Sequence, residues 1–326
     1  MLSANKRVRV SLVAAVVATI VALATPRAQQ APPRFTGSTD AILVDVGVSR
    51  AGVAVEGLTA ADFVVKDSGV AQTVQLVSAG GFPVSLLLAF DASASVRGLP
   101  LEHLKTAAKA AIATLRPTDE AALMTFSHSV LLRSGWTTSR ENLTKAIDSV
   151  TGTGLTALND AAFAALALAP KPGTRRLILF FTDGDDTSSW TSAAALVQAA
   201  RRTEAVVYNV ALDSSRNSGA AISRMLETRR KPGDTTQADV EKWMTAEPTL
   251  YRGAALTLLT LETGGESLRA TETAKLTATF TDVVSRFSRR YVLAFTPSGV
   301  PATGWHPIEV EVKGGGDVNA RRGYTR

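Results

Sequence analysis

The feature that most constrains this fold is a pair of apolar runs without apolar/polar alternation, Val84–Phe90 and Leu177–Phe181. A strand with only one buried face alternates between apolar and polar residues, whereas a strand covered on both faces by helices does not. Helical patterns lie between and around these runs, at about 98–115, 138–150, 157–169 and 192–202. Strands that alternate with helices predict an α/β domain with a central, mostly parallel sheet flanked by helices.

Further segments extend this domain. Ala121–Phe126 and Val130–Arg133 are predicted to form a hairpin, and Ala205–Leu212 another strand. Thr138-Ser139-Arg140-Glu141 has the form of a capping box at the start of a helix. Two more helices are expected, one near 253–261 and the other near 271–289.

The two ends of the chain have a different pattern. Ile42, Val44, Val46 and Val48 recur with the period of a half-buried strand, and His306–Val312 alternates in the same way. Shorter strand-like segments follow at 63–66 and 72–77, and Tyr291–Phe295 is a further apolar run. We therefore predict a small β domain built from both termini, residues 29–81 and 291–326, around an α/β domain at 82–290 that carries an insert at 213–250.

The first residues have the pattern of an export signal. Lys6, Arg7 and Arg9 precede an apolar run from 10 to 24, and small residues follow it. The run is shorter than the ~20 residues that cross a bilayer, so we expect cleavage near Ala28 rather than a retained anchor. Removing residues 1–28 deletes four basic residues and no acid, which lowers the formal charge from +6 to +2. The expected location is secreted or periplasmic, with no membrane span after cleavage.

Three polar loops stand where strands or helices of the α/β domain begin or end. Asp91-Ala92-Ser93-Ala94-Ser95 follows the first buried run, and Thr182-Asp183-Gly184 follows the second. Thr151–Thr156 precedes the Ala-rich helix. Ligands of open α/β sheets bind at the carboxyl ends of strands, which is where these loops are expected to meet.

The candidate ligands are all oxygens: the carboxylates of Asp91 and Asp183 and the hydroxyls of Ser93, Ser95 and Thr156. Such a set favours a hard cation, Mg²⁺ first, with Mn²⁺ or Ca²⁺ as alternatives. A cation held mainly by neutral hydroxyls keeps much of its positive charge, so it can attract a carboxylate from outside. This chemistry suits docking better than catalysis.

These residues resemble the metal-ion-dependent adhesion site (MIDAS) of von Willebrand factor type A (VWA) domains, whose fold is Rossmann-like. The match consists of the D-x-S-x-S of Asp91, Ser93 and Ser95, then Thr156, then the T-D-G that contains Asp183. The resemblance implies that the three hydroxyls bind the metal and that the two aspartates act largely through water. It also implies that the partner, a protein, supplies an Asp or Glu side chain. Ala94 stands where a glycine is common in the family.

The flanking segments are similar to bacterial exported proteins described as VWFA-related. Val44-Asp45-Val46, Gly57-Leu58-Thr59 and Asp67-Ser68-Gly69 carry the N-terminal resemblance. At the C-terminal end it rests on Tyr291–Pro297, Trp305-His306 and Arg321–Tyr324. The resemblance thus covers nearly all of the chain that follows the export signal, apart from the insert.

The expected role is a metal-dependent protein-binding module and not an enzyme. One alternative is a Mg²⁺-dependent hydrolase that uses the same carboxylates, although none of the three loops contains a His, Lys or Glu to act as base. The other alternative is a metal-free scaffold. Asp185 and Asp186 are expected to be surface acids that shape the rim, and the three histidines are not expected to act as bases or ligands.

Several classes of function are excluded. The chain has no cysteine, so disulfides, zinc–thiolate sites and thiol nucleophiles are ruled out. Basic residues are not interleaved with aromatic ones, which argues against nucleic acid as a partner. We expect the arginine pairs at 175–176, 201–202, 289–290 and 321–322 to be solvated charges near the ends of strands and helices.

Overall fold

The structure is a computed structural model that describes residues 41–79, 81–183, 186–212 and 254–326. The predicted export signal at 1–28 and the predicted insert at 213–250 lie outside the described residues. All described residues belong to one compact unit. No helix in these described ranges is long and apolar enough to cross a membrane.

The elements are numbered in chain order. The strands are β1 (Ile42–Arg50), β2 (Val53–Ala54), β3 (Phe63–Asp67), β4 (Val70–Gln72), β5 (Gln75–Ala79), β6 (Val84–Asp91), β7 (Glu120–Phe126), β8 (Val130–Thr137), β9 (Arg175–Thr182), β10 (Val206–Leu212), β11 (Ser267–Ala270), β12 (Tyr291–Phe295), β13 (Trp305–Val312), β14 (Asp317–Asn319) and β15 (Gly323–Thr325). The helices are α1 (Leu99–Ala113), α2 (Arg140–Asp148), α3 (Leu158–Ala167), α4 (Ala193–Ala200), α5 (Ala255–Thr263) and α6 (Leu276–Ser288).

The central sheet has six strands in the order β11-β10-β9-β6-β7-β8. All neighbours are parallel except β7 and β8, which form the expected hairpin. Every residue of β6 is buried, and so is every residue of Leu177–Phe181 in β9, as the two runs without alternation predict. The predicted α/β class with a mostly parallel sheet is therefore confirmed.

Each face of the central sheet carries its own layer of helices and its own core. On one face α1, α2 and α6 pack through residues such as Leu104, Leu143 and Phe280. On the other face α3, α4 and α5 pack through small residues such as Ala161 and Ala162, together with Leu256. The alanine-rich sequence of α3 lets it lie close to the strands, because a methyl group takes little room.

Strands from both ends of the chain form two further sheets, ordered β14-β1-β12-β5 and β15-β13-β3-β4. Alternate residues of β1, including Val44 and Val46, share a core with Val65, Leu293 and Val310. The expected single strand at 72–77 is in fact two strands, β4 and β5. The sequence pattern did not predict the short strands β2, β11, β14 and β15, because two to four residues show no period.

A buried cluster of Asp67, His306 and Tyr324 joins the end of β3 to β13 and β15 by hydrogen bonds. The carboxylate of Asp67 accepts a hydrogen bond from the Tyr324 hydroxyl at 2.7 Å and lies 3.0 Å from Nδ1 of His306. The His306 ring stacks on the Tyr324 ring at 4.7 Å between centroids. Asp67 and His306 are almost completely buried, so these two segments of the sequence resemblance have a structural role here.

The expectation that the arginine pairs are solvated is wrong for three of the four, because each of the three contains a buried arginine that joins distant segments. Arg175 and Arg290 both form ion pairs with Asp45 of β1, and Arg201 pairs with Glu262 of α5 at 3.2 Å. The residue types gave no signal of this, because the carboxylate partners lie far away in the sequence.

Asp45 is the carboxylate on which the junction between the β1 sheet and the α/β domain depends. Its carboxylate accepts hydrogen bonds from Nε and Nη2 of Arg175 at 2.7 and 3.1 Å. Nε of Arg290 donates to its Oδ1 as well. Burial raises the pKa of Asp45, but the guanidinium groups of Arg175 and Arg290 outweigh burial and hold the pKa below its usual value. Asp45 therefore stays ionised in the folded protein.

One predicted cap differs in detail. Ser139, not Thr138, caps α2 and accepts a hydrogen bond from the Asn142 amide at 3.2 Å. Glu141 instead pairs with Lys145 one turn along the helix. The Thr137 hydroxyl accepts a hydrogen bond from the Ser139 amide, which sets the start of the helix one residue later than the predicted box does.

We predict that Asp45→Asn lowers the free energy of unfolding by about 3–5 kcal/mol at pH 7, because two buried guanidinium groups lose their carboxylate. Urea unfolding followed by tryptophan fluorescence measures this change. Glu311→Gln is the matched control: Glu311 pairs with Lys66 at the surface, so its loss should cost less than about 1 kcal/mol. A loss below 1 kcal/mol in Asp45→Asn would contradict the role assigned to Asp45.

Candidate metal centre

The candidate site begins where two neighbouring strands of the central sheet end. Asp91 is the last residue of β6 and Thr182 is the last residue of β9, and these strands pair in parallel register. The Thr182 hydroxyl donates a hydrogen bond to Oδ2 of Asp91 at 2.8 Å. The sheet therefore fixes one oxygen of a fully buried carboxylate.

A row of hydrogen-bonded groups, named the oxygen row for its side-chain oxygens, runs from Asp91 through Ser93 and Ser95 to Asp183. The Ser93 amide donates to Oδ1 of Asp91 at 2.8 Å, so the loop folds back over the carboxylate. The Ser93 and Ser95 hydroxyl oxygens lie 3.0 Å apart, and the Ser95 hydroxyl donates to Oδ1 of Asp183 at 2.8 Å. Four of the five predicted ligands are thus linked in one hydrogen-bonded row.

The fifth residue, Thr156, is on the loop that covers this row. Backbone bonds join that loop to the one after β6: Thr153 donates to the Ala92 carbonyl at 2.6 Å, and Ala94 donates to the Gly154 carbonyl at 3.0 Å. Among the described residues, the Thr156 hydroxyl makes no hydrogen bond to the other four. Thr156 is buried and its carbonyl accepts from the Thr187 amide at 2.8 Å, which ties its loop to the segment after β9.

Gly154 is required by its backbone and by a close neighbour. Its φ is +84°, a region that favours glycine, and a Cβ there would overlap Nδ1 of His128. His128 lies in the β7–β8 turn and packs against the loop that carries Thr156. The sequence placed His128 in this turn but did not show that it lies beside the site.

The expectation that Asp186 is a surface acid is wrong. Asp186 is only 4% exposed, and its Oδ1 accepts a hydrogen bond from the Leu158 amide at 2.9 Å. It therefore caps the N-terminus of α3 across a gap of 28 residues in the sequence, where a carboxylate satisfies free amides and the helix dipole. Ser189 adds a hydroxyl donor to the same oxygen. Asp185 lies outside the described residues.

Burial raises the pKa of Asp91 to about 6, and the hydrogen bonds from Ser93 and Thr182 only partly offset it. The neighbouring carboxylate of Asp183 contributes the smallest part of this rise. In the absence of a cation, ionised Asp91 is therefore an unfavourable buried charge near neutral pH.

The oxygen row has the spacing that a small octahedral cation requires. Mg²⁺ binds oxygens at about 2.0–2.1 Å in an octahedron, so its adjacent ligands lie about 3 Å apart. The Ser93–Ser95 separation of 3.0 Å and the Ser95–Asp183 separation of 2.8 Å fit that geometry. Both oxygens of Asp91 already accept hydrogen bonds from the protein, which suits a carboxylate that acts on a cation through water.

The described residues contain no group of three or more His, Cys, Asp or Glu that could hold a metal. A cation at the row would accordingly depend on hydroxyls and water as much as on carboxylates. The hydrogen bond from Thr182 that orients Asp91 was not predicted from the sequence, although Thr182 is next to Asp183. The packing of β6 against β9 reveals it.

A family model matches the region of the chain that contains the candidate site. Residues 86–185 match the family model for the von Willebrand factor type A domain. That stretch contains all five predicted ligands. A search of curated proteins found no match.

Solved structures share the fold at low identity. Proximal thread matrix protein 1 from the mussel byssus is 15% identical, with a TM-score of 0.50 over 69% of this chain and 51% of its own. Another form of that mussel protein has zinc in its MIDAS motif, at 16% identity and a TM-score of 0.49 over 68% of this chain and 49% of that one. A von Willebrand factor type A protein from Catenulispora acidiphila is 13% identical, with a TM-score of 0.47 over 88% and 72%. The chain spans about half the length of the mussel protein.

We predict that Asp91→Asn stabilises the metal-free protein above pH 6. The pKa of Asp91 rises from 3.8 to about 6 on folding, so its favourable contribution is complete below pH about 4 and is lost as the pH rises through 6. The uncharged amide avoids this loss, which is worth about 1–3 kcal/mol at pH 8. Urea unfolding in EDTA at pH 5 and pH 8 measures the difference between variant and parent.

The exposed Asp317→Asn serves as the control and should show no such pH-dependent gain. If Asp91→Asn is less stable than the parent in EDTA at pH 8, the assignment of Asp91 as an unfavourable buried charge is wrong.

Proposed function

We propose that the chain is an exported protein-binding module, and the match of residues 86–185 to the von Willebrand factor type A domain model is the premise. It uses Asp91, Ser93, Ser95, Thr156 and Asp183 to hold a Mg²⁺ ion at the carboxyl end of the central sheet. The bound cation supplies a positive charge to which a carboxylate of a partner protein adds as a further ligand. Export rests on the N-terminal signal pattern of residues 1–28.

The observation that carries this proposal is the hydrogen-bonded row from Asp91 through Ser93 and Ser95 to Asp183. These side chains come from two strand ends 88 residues apart in the sequence, yet their oxygens stand at the separations of ligands around one small cation.

The surroundings of the row favour a macromolecular partner. Leu155, next to Thr156, is 59% exposed, and Trp190, on the segment after Asp183, is 97% exposed. The amide of Trp190 donates to the carboxylate of Asp160 at 3.2 Å, which anchors its backbone beside the first turn of α3. Large apolar side chains exposed at the rim of a polar site are typical of protein interfaces, where Trp is enriched at the centre.

We propose binding without turnover. Both oxygens of Asp91 are engaged by Ser93 and Thr182, so this carboxylate is held in place rather than available to take a proton from a substrate. Turnover of a phosphoester, peptide or glycoside that Asp183→Ala abolishes would contradict this part of the proposal.

Asp183→Ala should weaken Mg²⁺ binding at least tenfold, because it removes the half-exposed carboxylate at the end of the row. Isothermal titration calorimetry with MgCl₂ measures the affinity, and urea unfolding in EDTA checks that the fold is retained. Asp317→Ala, an exposed acid on β14, is the matched control and should bind Mg²⁺ like the parent. Unchanged Mg²⁺ affinity in Asp183→Ala would refute the site.

The partner should be retained only with the cation present. We expect the immobilised protein to capture a partner from the envelope fraction of its source cell in Mg²⁺, with at least tenfold less capture in EDTA or by Asp183→Ala. Quantitative mass spectrometry of the eluates makes the comparison. Equal capture under all three conditions would point to a metal-independent scaffold.

A further inference from the structure

A cavity lies at the end of the central sheet that is opposite the oxygen row. It is a groove of about 660 Å³ where α3 and α4 meet the start of β9 and the strands β1 and β12. Its apolar lining includes Leu43, Phe163, Leu166, Pro170 and Val292. Phe163 of α3 is 46% exposed. The volume is within the range of sites for small organic ligands.

The polar part of this lining is rich in guanidinium groups. Arg175, Arg176 and Arg202 line the groove, against the carboxylates of Asp45 and Glu204. The lining therefore carries one net positive charge, and Asp45 is shared with Arg290 from outside the groove. In the part of the chain that the structure describes, Arg202 forms no ion pair.

Arg175 and Arg176 have hydrogen-bond partners, but carboxylates do not satisfy all of their guanidinium donors. Arg176 donates to the Leu168 and Leu166 carbonyls, each at 3.0 Å, and to the Thr203 hydroxyl, but hydrogen-bonds to no carboxylate. The Arg175 side chain is only 7% exposed, and its Nη1 has no hydrogen-bond partner among the described residues. Arg202 is exposed and lines the groove, so its guanidinium is the group that can donate charge-assisted hydrogen bonds to an anionic oxygen.

We propose that this groove binds an organic monocarboxylate with an apolar chain. The carboxylate faces the arginine-rich part of the lining, where one negative charge balances the net charge of the groove. The chain lies along Phe163 and the neighbouring apolar side chains, which removes their surface from water.

This site is separate from the oxygen row. Arg175 is the first residue of β9 and Asp183 follows its last residue, so the eight-residue strand keeps them apart. At about 3.3 Å per residue, the separation exceeds 20 Å. Ligand binding in the groove therefore does not require the cation, and the two proposals can fail independently.

The test is isothermal titration calorimetry of the full protein with octanoate, 1-octanol and acetate as probes. Octanoate should bind at least tenfold more tightly than either of the others, because only octanoate combines the charge with the chain. Binding should be unchanged in EDTA and in Asp183→Ala. Octanoate binding no tighter than that of 1-octanol would overturn the proposal.

Two variants of exposed positions locate the ligand. Phe163→Ala and Arg202→Gln should each weaken octanoate binding at least fivefold, while thermal unfolding shows that both retain the fold. Leu132→Ala on β8 and Arg289→Gln, both away from the groove, are the matched controls and should bind like the parent. Equal binding by all four variants would place the ligand elsewhere and refute the assignment. A dimer that Phe163→Asp dissociates, seen by sedimentation velocity, would likewise refute it and make the groove an interface between copies.

Discussion

The ion pairs around Asp45 hold together parts of the fold that the chain builds far apart. Asp45 lies in the first described strand, Arg175 at the start of β9 and Arg290 just before β12. Arg290 also donates to the carbonyls of Gly264 and Asn319, at 2.9 and 2.8 Å, so one guanidinium joins the end of α5 to β14. A buried charge is tolerated only where partners surround it, and this requirement fixes the terminal sheets against the α/β domain.

The same requirement shapes the other end of the central sheet, with a different outcome. Asp91 is also buried, but its near neighbours are hydroxyls and a second carboxylate rather than arginines. The guanidinium groups of Arg175 and Arg290 therefore neutralise Asp45. Burial raises the pKa of Asp91 instead, and an added cation would neutralise its charge. Two buried aspartates at opposite ends of the central sheet differ in role because their partners differ in charge.

The oxygen row also depends on contacts that have no motif. Thr182 orients Asp91, and Asp186 caps α3 and so positions the loop that carries Thr156. Thr182 ends β9 and belongs to the T-D-G match, whereas Asp186 follows in a polar segment whose sequence is that of an ordinary loop. Asp91, Ser93, Ser95 and Asp183 were predicted to lie together, because strand ends of a parallel sheet meet at one edge. The capping function of Asp186 was not predicted, because the helix that this residue caps begins 28 residues earlier.

The sequence alone determined the parts of the fold that depend on local periodicity. Runs without alternation at 84–90 and 177–181 predicted the buried parallel strands, and alternation at 42–48 predicted a half-buried strand. The D-x-S-x-S, Thr156 and T-D-G motifs together carried the family resemblance. Only the tertiary structure decided which arginines are buried, which face of α3 borders a groove, and how Thr156 lies relative to the oxygen row. Those features depend on pairs of residues up to 245 positions apart, and such pairs leave no periodic trace in the chain.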